Sequence, residues 1–579
     1  MRRSNSSLPP RRSDLLLMKY DHDWILVGSG FGGSVSALRL AEKGYDVKVL
    51  ECGRRFADED FAETVGSQPH RYFWRPTMKL FGIFRMTFFK HITVLSGSGV
   101  GGGSLGYANT LYRARPRFFS DKQWAGLEDW ENVLQPHYDT AEYMLGVTEV
   151  PLHQPADDLI KGLAEDFGVA DSYKKTRVAV YFGDRDKIGE TVPDPYFDGE
   201  GPPRAACMAC GQCMTGCRHN AKNTLVKNYL WFAEKLGVKI DPMRTVTDVK
   251  PIRATTGRRD GSAGFEVTSV KTGAWLFKGR RVERARGVVV AAGTYGTNRL
   301  LANCKLNGSL GRISHRLGEL VRTNSEAILA VTAKNDDTSY GTSVAISSSF
   351  FPDEDTHIEN VTYGEGGDAM GRNFTLLTGE GNHFTRPLKF VLAAIRHPLS
   401  ALRLIGAYHW SRRTVILLVM QTLDNSLSLR PKKMPFGGWR LTTEEGPEHP
   451  SPRFIPAANK AAELAAKRIG GIPQSSFTEV LANVPTTAHF LGGAVIGRDA
   501  NSGVVDRFNR TFGYDNLLIC DGSAMPANPG VNPSLTITAI TEHAMTAIPP
   551  KGEALTASGG FAIRADGPAA SATAMVSGS

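Results

Sequence analysis

The stretch Trp24-Ile25-Leu26-Val27-Gly28-Ser29-Gly30-Phe31-Gly32-Gly33 decides the fold. Four apolar residues make a short buried strand. The glycines after them match G-x-G-x-x-G, with Gly28, Gly30 and Gly33 at the marked positions. The first permits a tight turn, the second lets the backbone approach a pyrophosphate, and the third lets a helix pack against the strand. Residues 34–43 then read as that helix, its N-terminus toward the anion. Val47–Leu50 reads as a second strand, ended by Glu51. A carboxylate there can accept hydrogen bonds from adenosine ribose hydroxyls and disfavours the extra phosphate of NADP.

Further along the chain, residues 287–293 form another buried strand, and 517–522 a third piece ending in Asp521 and Gly522. A nucleotide domain assembled from segments this remote must have other domains inserted between them. The expected class is α/β, with a Rossmann-type domain built from discontinuous segments. Residues 310–490 carry β-branched apolar runs, such as 414–420, and polar turns, such as 431–436. They read as an inserted α+β substrate domain. A second glycine-rich loop, SGSGVGGGS at 96–104, can bring backbone close to a flat ligand.

Composition agrees with an enzyme that has a large core. The chain has 579 residues, 41% hydrophobic and 22% charged, with only 7 cysteines. Disorder, coiled coil and a small disulfide scaffold are excluded. The net charge of +10 favours an acidic partner or an anionic membrane surface. No basic stretch has a nucleic-acid docking geometry, so no nucleic-acid partner is expected. Arg2, Arg3, Arg11 and Arg12 precede an apolar run of only four residues, Leu15 to Met18, too short for a signal peptide. Residues 1–19 read as a loose extension and 551–579, rich in Ala, Gly and Ser, as a loose tail. No segment reaches 18 apolar residues, the length needed to span a bilayer. The expected location is cytoplasmic or peripherally membrane-associated. Residues 71–90 interleave seven aromatics with five basic residues. They read either as an interfacial segment that dips into lipid or as a lid packed on its own protein.

With Gly28–Gly33, Glu51, the loop from Gly97 to Asn109, VVVAAGTYGTNRLL at 288–301, HFLGG at 489–493 and DGSAMPANPGVNPSLTITAITE at 521–542, the chain resembles the glucose–methanol–choline (GMC) oxidoreductases. Within them it is similar to the bacterial cholesterol oxidase-like branch. The resemblance implies non-covalent FAD and oxidation of an alcohol, with the 3β-hydroxyl of cholesterol or a related sterol as substrate. Reduced flavin would then be reoxidised by oxygen or another electron acceptor. It places Gly101, Gly102, Ser104, Asn109, Asp521, Gly522, Asn532 and Pro533 at the cofactor, beside Gly28, Gly30, Gly33 and Glu51. It divides the chain into an FAD domain (20–60, 91–120, 225–310, 491–548), a lid segment (61–90), an insert (121–224) and a substrate domain on an antiparallel sheet (311–490).

Alcohol oxidation needs a base for the O–H proton and an acceptor for the hydride. His489 stands before Leu491-Gly492-Gly493, where glycines allow close approach. The resemblance places it at the active-site histidine, with Asn532 as its partner. Residues 534–541 read as a helix behind Asn532. The resemblance also implies that Glu359 shuttles a proton from C4 to C6, moving the 5-ene double bond to 4-ene. Beside this stands an ordinary reading of Glu359 as one strand acid among Asp353, Glu354 and Asp355.

Cys207-x2-Cys210-x2-Cys213-x3-Cys217 has the ligand spacing of ferredoxins, with Arg218 in place of the usual proline. Some sugar dehydrogenases of the same superfamily carry an iron–sulfur cluster before an Ala-Lys pair, and Ala221-Lys222 follows here. Three readings stay open: an iron–sulfur centre, zinc, or reduced or disulfide-linked structural cysteines. The first would make the chain an FAD dehydrogenase of a sugar or other alcohol that passes electrons to a separate carrier.

Removing the ribose acceptor at Glu51 tests the nucleotide reading. Glu51→Ala is expected to weaken FAD retention about tenfold, the worth of a lost hydrogen bond to a charged group. Flavin content after purification measures it, and full occupancy at unchanged affinity contradicts the assignment.

Overall fold

The computed structural model describes residues 19–553 apart from Phe436, Pro447 and Glu448. The expected extension and tail lie outside the described residues, except for residues 19 and 551–553. No helix among the described residues is long and apolar enough to cross a membrane.

Two seven-stranded sheets organise the chain. In the first, strand His22–Val27 runs parallel to Val47–Leu50 on one side and to Arg281–Val290 on the other. Lys239–Asp241 extends the sheet beyond Val47–Leu50. Arg281–Val290 serves two partners along its length. Its outer half pairs antiparallel with Phe265–Lys271, which pairs with Arg244–Pro251. Its inner half pairs parallel with Leu517–Ile519. The strand therefore starts at residue 281, not at 287 as the apolar run suggests, because its polar outer half belongs to the antiparallel arm. Helix Phe31–Glu42 begins at the glycine turn and buries Val35, Leu38 and Leu40. Helices Trp130–Leu145 and Ser534–Thr546 pack on each other beside it.

The second sheet is antiparallel throughout. Its order is Phe374–Leu376, Gly471–Ser476, Ala327–Ala333, Thr414–Gln421, Thr356–Val361, Ser348–Phe350, Lys174–Lys175. Side chains alternate across a strand, and here both faces are apolar. Val415, Leu417 and Val419 pack under helices Pro155–Asp166 and Pro456–Arg468. Ile416 and Leu418 point the other way and line a cavity. This two-faced burial explains why Thr414–Gln421 reads as an unbroken apolar run.

Two expectations change, and one open reading narrows. Residues 121–224, read as one insert, divide between the two sheets: Trp130–Leu145 packs on the nucleotide side, whereas Pro155–Asp166 and Lys174–Lys175 join the substrate sheet. The turn read at 431–436 lies partly in a hairpin, since Leu427–Lys433 pairs with Trp439–Glu445 through Lys433. Pro431 is tolerated there on a two-stranded ribbon that needs no second partner. The 71–90 segment, read either as an interfacial segment or as a lid, buries Tyr72, Trp74 and Ile83 and exposes Met78 and Phe88. Its strand Phe84–Phe88 pairs with Thr93–Gly97, which leads into the second glycine loop.

Gly32 locks the first helix against the nucleotide sheet. A Cβ there would lie 1.8 Å from the Cys520 carbonyl oxygen, a backbone atom with no room to move. Gly32→Ala is expected to destabilise the fold by about 1–3 kcal/mol, the usual cost of overpacking. A lowered thermal midpoint with loss of flavin is the expected readout, and an unchanged midpoint would contradict this packing.

Candidate active site

A cavity of about 1040 Å³ runs from the first glycine turn to the inner face of the antiparallel sheet. At one end stand Gly28, Gly30 and Glu51. Gly28 has φ +104°, and a Cβ there would strike the Ala291 carbonyl oxygen at 2.2 Å. The two glycine loops lie back to back: a Cβ on Gly102 would sit 2.5 Å from the Gly30 Cα. Ser29 ties them together. Its hydroxyl donates to Glu51 Oε2 at 2.8 Å and accepts from the Gly101 N–H at 3.1 Å. Glu51 also accepts from the Ser29 N–H at 3.0 Å and the Gly53 N–H at 2.8 Å. It therefore shapes the loop as well as lining the cavity.

At the middle stand His489, Asn532 and Pro533. His489 follows Thr487, whose hydroxyl accepts from the His489 N–H at 2.9 Å and donates to the Thr323 carbonyl at 3.0 Å. Its Nδ1 pairs with Glu326 Oε1, and Glu326 Oε2 accepts from the Ala488 N–H at 2.7 Å. Glu326 is buried immediately before strand Ala327–Ala333. With Nδ1 occupied, Nε2 is the ring nitrogen left to accept a proton in the cavity. Glu326 was not singled out in the sequence, and no local motif marks it.

Asn532 donates from Nδ2 to Glu359 Oε2 at 3.2 Å. Its Oδ1 is buried without a protein partner, which suits it to a bound group. Glu359 is fully buried on strand Thr356–Val361 and does not line the cavity itself. It lies on the same strand face as Val361, which does. Burial pushes its carboxyl up to about 8, with the Asn532 amide opposing and the charge of Glu326 adding to the rise. Behind it, His357 Nδ1 lies 4.0 Å from Glu359 Oε1, and its ring stacks on Phe351 at 4.3 Å. Burial, with Arg115 and Lys174 nearby, lowers His357 to about 3, so this ring is neutral.

The other expected cofactor residues split between lining and support. Gly102, Gly522 and Pro533 line the cavity; Gly33, Gly101, Ser104, Asn109 and Asp521 do not. Gly33 serves helix packing, with a Cβ there 2.2 Å from the Gly28 oxygen. Ser104 caps its own loop by donating to the Gly101 carbonyl and accepting from the Leu225 N–H. Asn109 holds a left-handed turn at φ 68°. Asp521 accepts from Ser523 and Thr297, joining the C-terminal motif to helix Gly293–Leu306.

The four clustered cysteines are free thiols. Among the described residues, no group of three or more His, Cys, Asp or Glu is arranged to hold a metal ion. The space between the thiols is about 20 Å³, room for about one water. Burial pushes Cys207 up to about 12 and Cys210 to about 11. Lys222, buried beside them, donates to the carbonyls of Leu105, Tyr107 and Cys213. An iron–sulfur centre or zinc does not fit this arrangement.

Similarity to known proteins accords with this geometry. Residues 450–541 match the family model described as GMC oxidoreductase. The chain is 48% identical to a cholesterol oxidase of Acinetobacter baumannii, over 93% of this chain and 96% of that protein. The chain belongs to the GMC oxidoreductase family. It is 47% identical to a cholesterol oxidase of Mycobacterium tuberculosis, over 93% of this chain and 92% of that one. Its fold is similar to pyridoxine 4-oxidase from Mesorbium loti, with a TM-score of 0.54 at 14% identity, covering 90% of this chain and 98% of that one. As in other GMC oxidoreductases, the cofactor is FAD, and the glycine cradle, Glu51 and the unpartnered Asn532 oxygen fit it. The protein is an FAD-dependent oxidoreductase acting on CH–OH groups.

Replacing the histidine tests the site. His489→Ala is expected to retain FAD yet slow flavin reduction by an alcohol roughly 10²–10⁴-fold, the range for lost general-base help. Rapid-mixing kinetics measure it, and a change below about threefold would make His489 structural.

Proposed function

We propose that this enzyme oxidises the 3β-hydroxyl of cholesterol or a related sterol to the 3-ketone and then moves the 5-ene double bond to 4-ene. The observation that carries the reading is the cavity itself. One apolar chamber joins the glycine cradle to a wall of Ile328, Val361, Ile416 and Leu418, with His489 and Asn532 at the junction. A rigid, apolar alcohol matches such walls, because burial there is worth about 25 cal/mol per Å² and a sugar would gain little. The names of the relatives at 47–48% identity support the same substrate.

When bound, FAD supplies the hydride acceptor. His489 Nε2 takes the hydroxyl proton, while Glu326 holds the ring in the required orientation through Nδ1. Asn532 keeps one amide hydrogen on Glu359, and its oxygen is buried with no protein partner. In its ionised form, Glu359 takes the C4 proton and returns it at C6. A buried carboxyl near 8 is a stronger base than an ordinary glutamate once ionised. The relatives are named oxidases, which supports oxygen as the acceptor of the reducing equivalents. The alternative, a dehydrogenase of a sugar or other alcohol exporting electrons through a cluster, has no donor set among the described residues.

The two steps separate experimentally. Glu359→Gln is expected to let oxidation proceed within about tenfold of the parent while the 5-en-3-one accumulates. In the parent, isomerisation should rise with pH as Glu359 loses its proton near 8. Chromatography of products over a pH series measures both. Unchanged formation of the 4-en-3-one by Glu359→Gln would remove Glu359 from the reaction. Failure of every sterol to be oxidised would remove the sterol reading.

A further inference from the structure

Helices Thr385–Arg396 and Pro398–Ile405 are amphipathic in the inverse sense. Phe384, Leu388, Val391, Leu392 and Ile395 recur at the spacing of one helical face. Such a stripe ordinarily faces a core. Here all five are exposed, Phe384 by 74% and Ile395 by 70%. The one buried side chain of the first helix is polar: Arg386 pairs with Glu479 at 2.8 Å. Past the His397-Pro398 break, Leu399, Leu402, Ile405 and Tyr408 continue the run, exposed by 65–74%. The second helix buries no residue. Nine large apolar side chains exposed on or beside two consecutive helices call for a partner.

Charge selects the partner. Residues 381–413 contain six Lys or Arg and no Asp or Glu. Of these cations, Lys389, Arg396 and Arg403 are exposed, and none forms an ion pair among the described residues. Apolar side chains interspersed with cations suit the boundary between acyl chains and anionic headgroups. Location points the same way. The two helices rest on Phe374–Leu376, on the turn 368–373 and on helix Phe477–Ala482. Met370, Phe374 and Phe477, from those supports, line the substrate cavity. Phe477 is itself 51% exposed, so the cavity reaches the surface beside the apolar face.

We propose that the helix pair Thr385–Arg396 and Pro398–Ile405 docks on an anionic lipid bilayer at the mouth of the substrate cavity. Docking there lets an apolar substrate pass from membrane to cavity without crossing water. The binding surface stands on its own observations, whereas its role in delivery rests on the sterol reading. The surface differs from the aromatic 71–90 segment, whose buried Tyr72, Trp74 and Ile83 are committed to the protein's own interior.

The test uses the full-length holoenzyme and sterol-free vesicles of phosphatidylcholine, with or without phosphatidylglycerol. Sedimentation with the vesicles is expected, stronger with phosphatidylglycerol and weakened by salt. A double variant, Ile395→Glu with Leu399→Glu, should lose about tenfold or more in vesicle binding while keeping flavin content and thermal midpoint. A second variant, Lys389→Glu with Arg396→Glu and Arg403→Glu, leaves the apolar face intact and should lose the preference for phosphatidylglycerol. The proposal is overturned if the parent stays in the supernatant with both vesicles, or if the variants bind as it does. It is also overturned if ultracentrifugation shows a dimer that the double variant splits, with no vesicle binding, because the face would then join two copies. Vesicle binding without oxidation of any sterol would uphold the docking surface and remove the sterol reading.

Discussion

Glu326 and His489 are 163 residues apart in sequence and in direct contact in the fold. Glu326 enters the antiparallel sheet, and His489 leads back toward the nucleotide sheet. Their contact therefore sets both the orientation of the imidazole and the relation of the substrate wall to the cofactor cradle. Neighbouring bonds support it. Buried Arg322 donates to the Pro526 and Asn425 carbonyls and pairs with Asp424 at 2.8 Å. Asn324 accepts from the Gly530 N–H at 2.9 Å and donates to the Val531 carbonyl at 3.1 Å. Asn532 follows directly, so the segment that anchors the two sheets also positions the second polar group of the site. A buried network of this kind is costly to break because each lost partner leaves a desolvated group behind.

The second constraint is backbone proximity. The loops at Gly30 and Gly102 touch without side chains between them, and Ser29 links both to Glu51. This leaves one cavity, not two, so a bound dinucleotide and an apolar substrate share a chamber. Glu359 sits just outside it. Its carboxyl is fully buried and accepts from the Asn532 amide.

The nucleotide fold was legible because its signals are local. The strand, glycine turn and acid at residues 24–51 are set by short-range sterics, and their pairing follows from them. Resemblance alone pointed to His489 and Asn532, since composition treats a histidine as structural, and both line the cavity. Glu326 was not legible, because only the tertiary pairing of distant segments gives it a role. The stripe at 384–408 shows a different limit. Periodicity tells which residues share a face, but not whether that face meets a core or water. Pro431 and the 71–90 segment were misjudged or left open because a two-stranded ribbon tolerates proline and because aromatic residues suit both lipid and a protein interior. The cysteine spacing was plain in the sequence, yet among the described residues the fold brings no three of these side chains into an arrangement that could hold a metal ion.

The most direct measurement is anaerobic titration of the FAD-bound enzyme with cholesterol, followed by the visible absorbance of the flavin. Stoichiometric bleaching by cholesterol is expected, and none by glucose or a short-chain alcohol at equal concentration. Bleaching by the sugar or short alcohol with none by any sterol would contradict it.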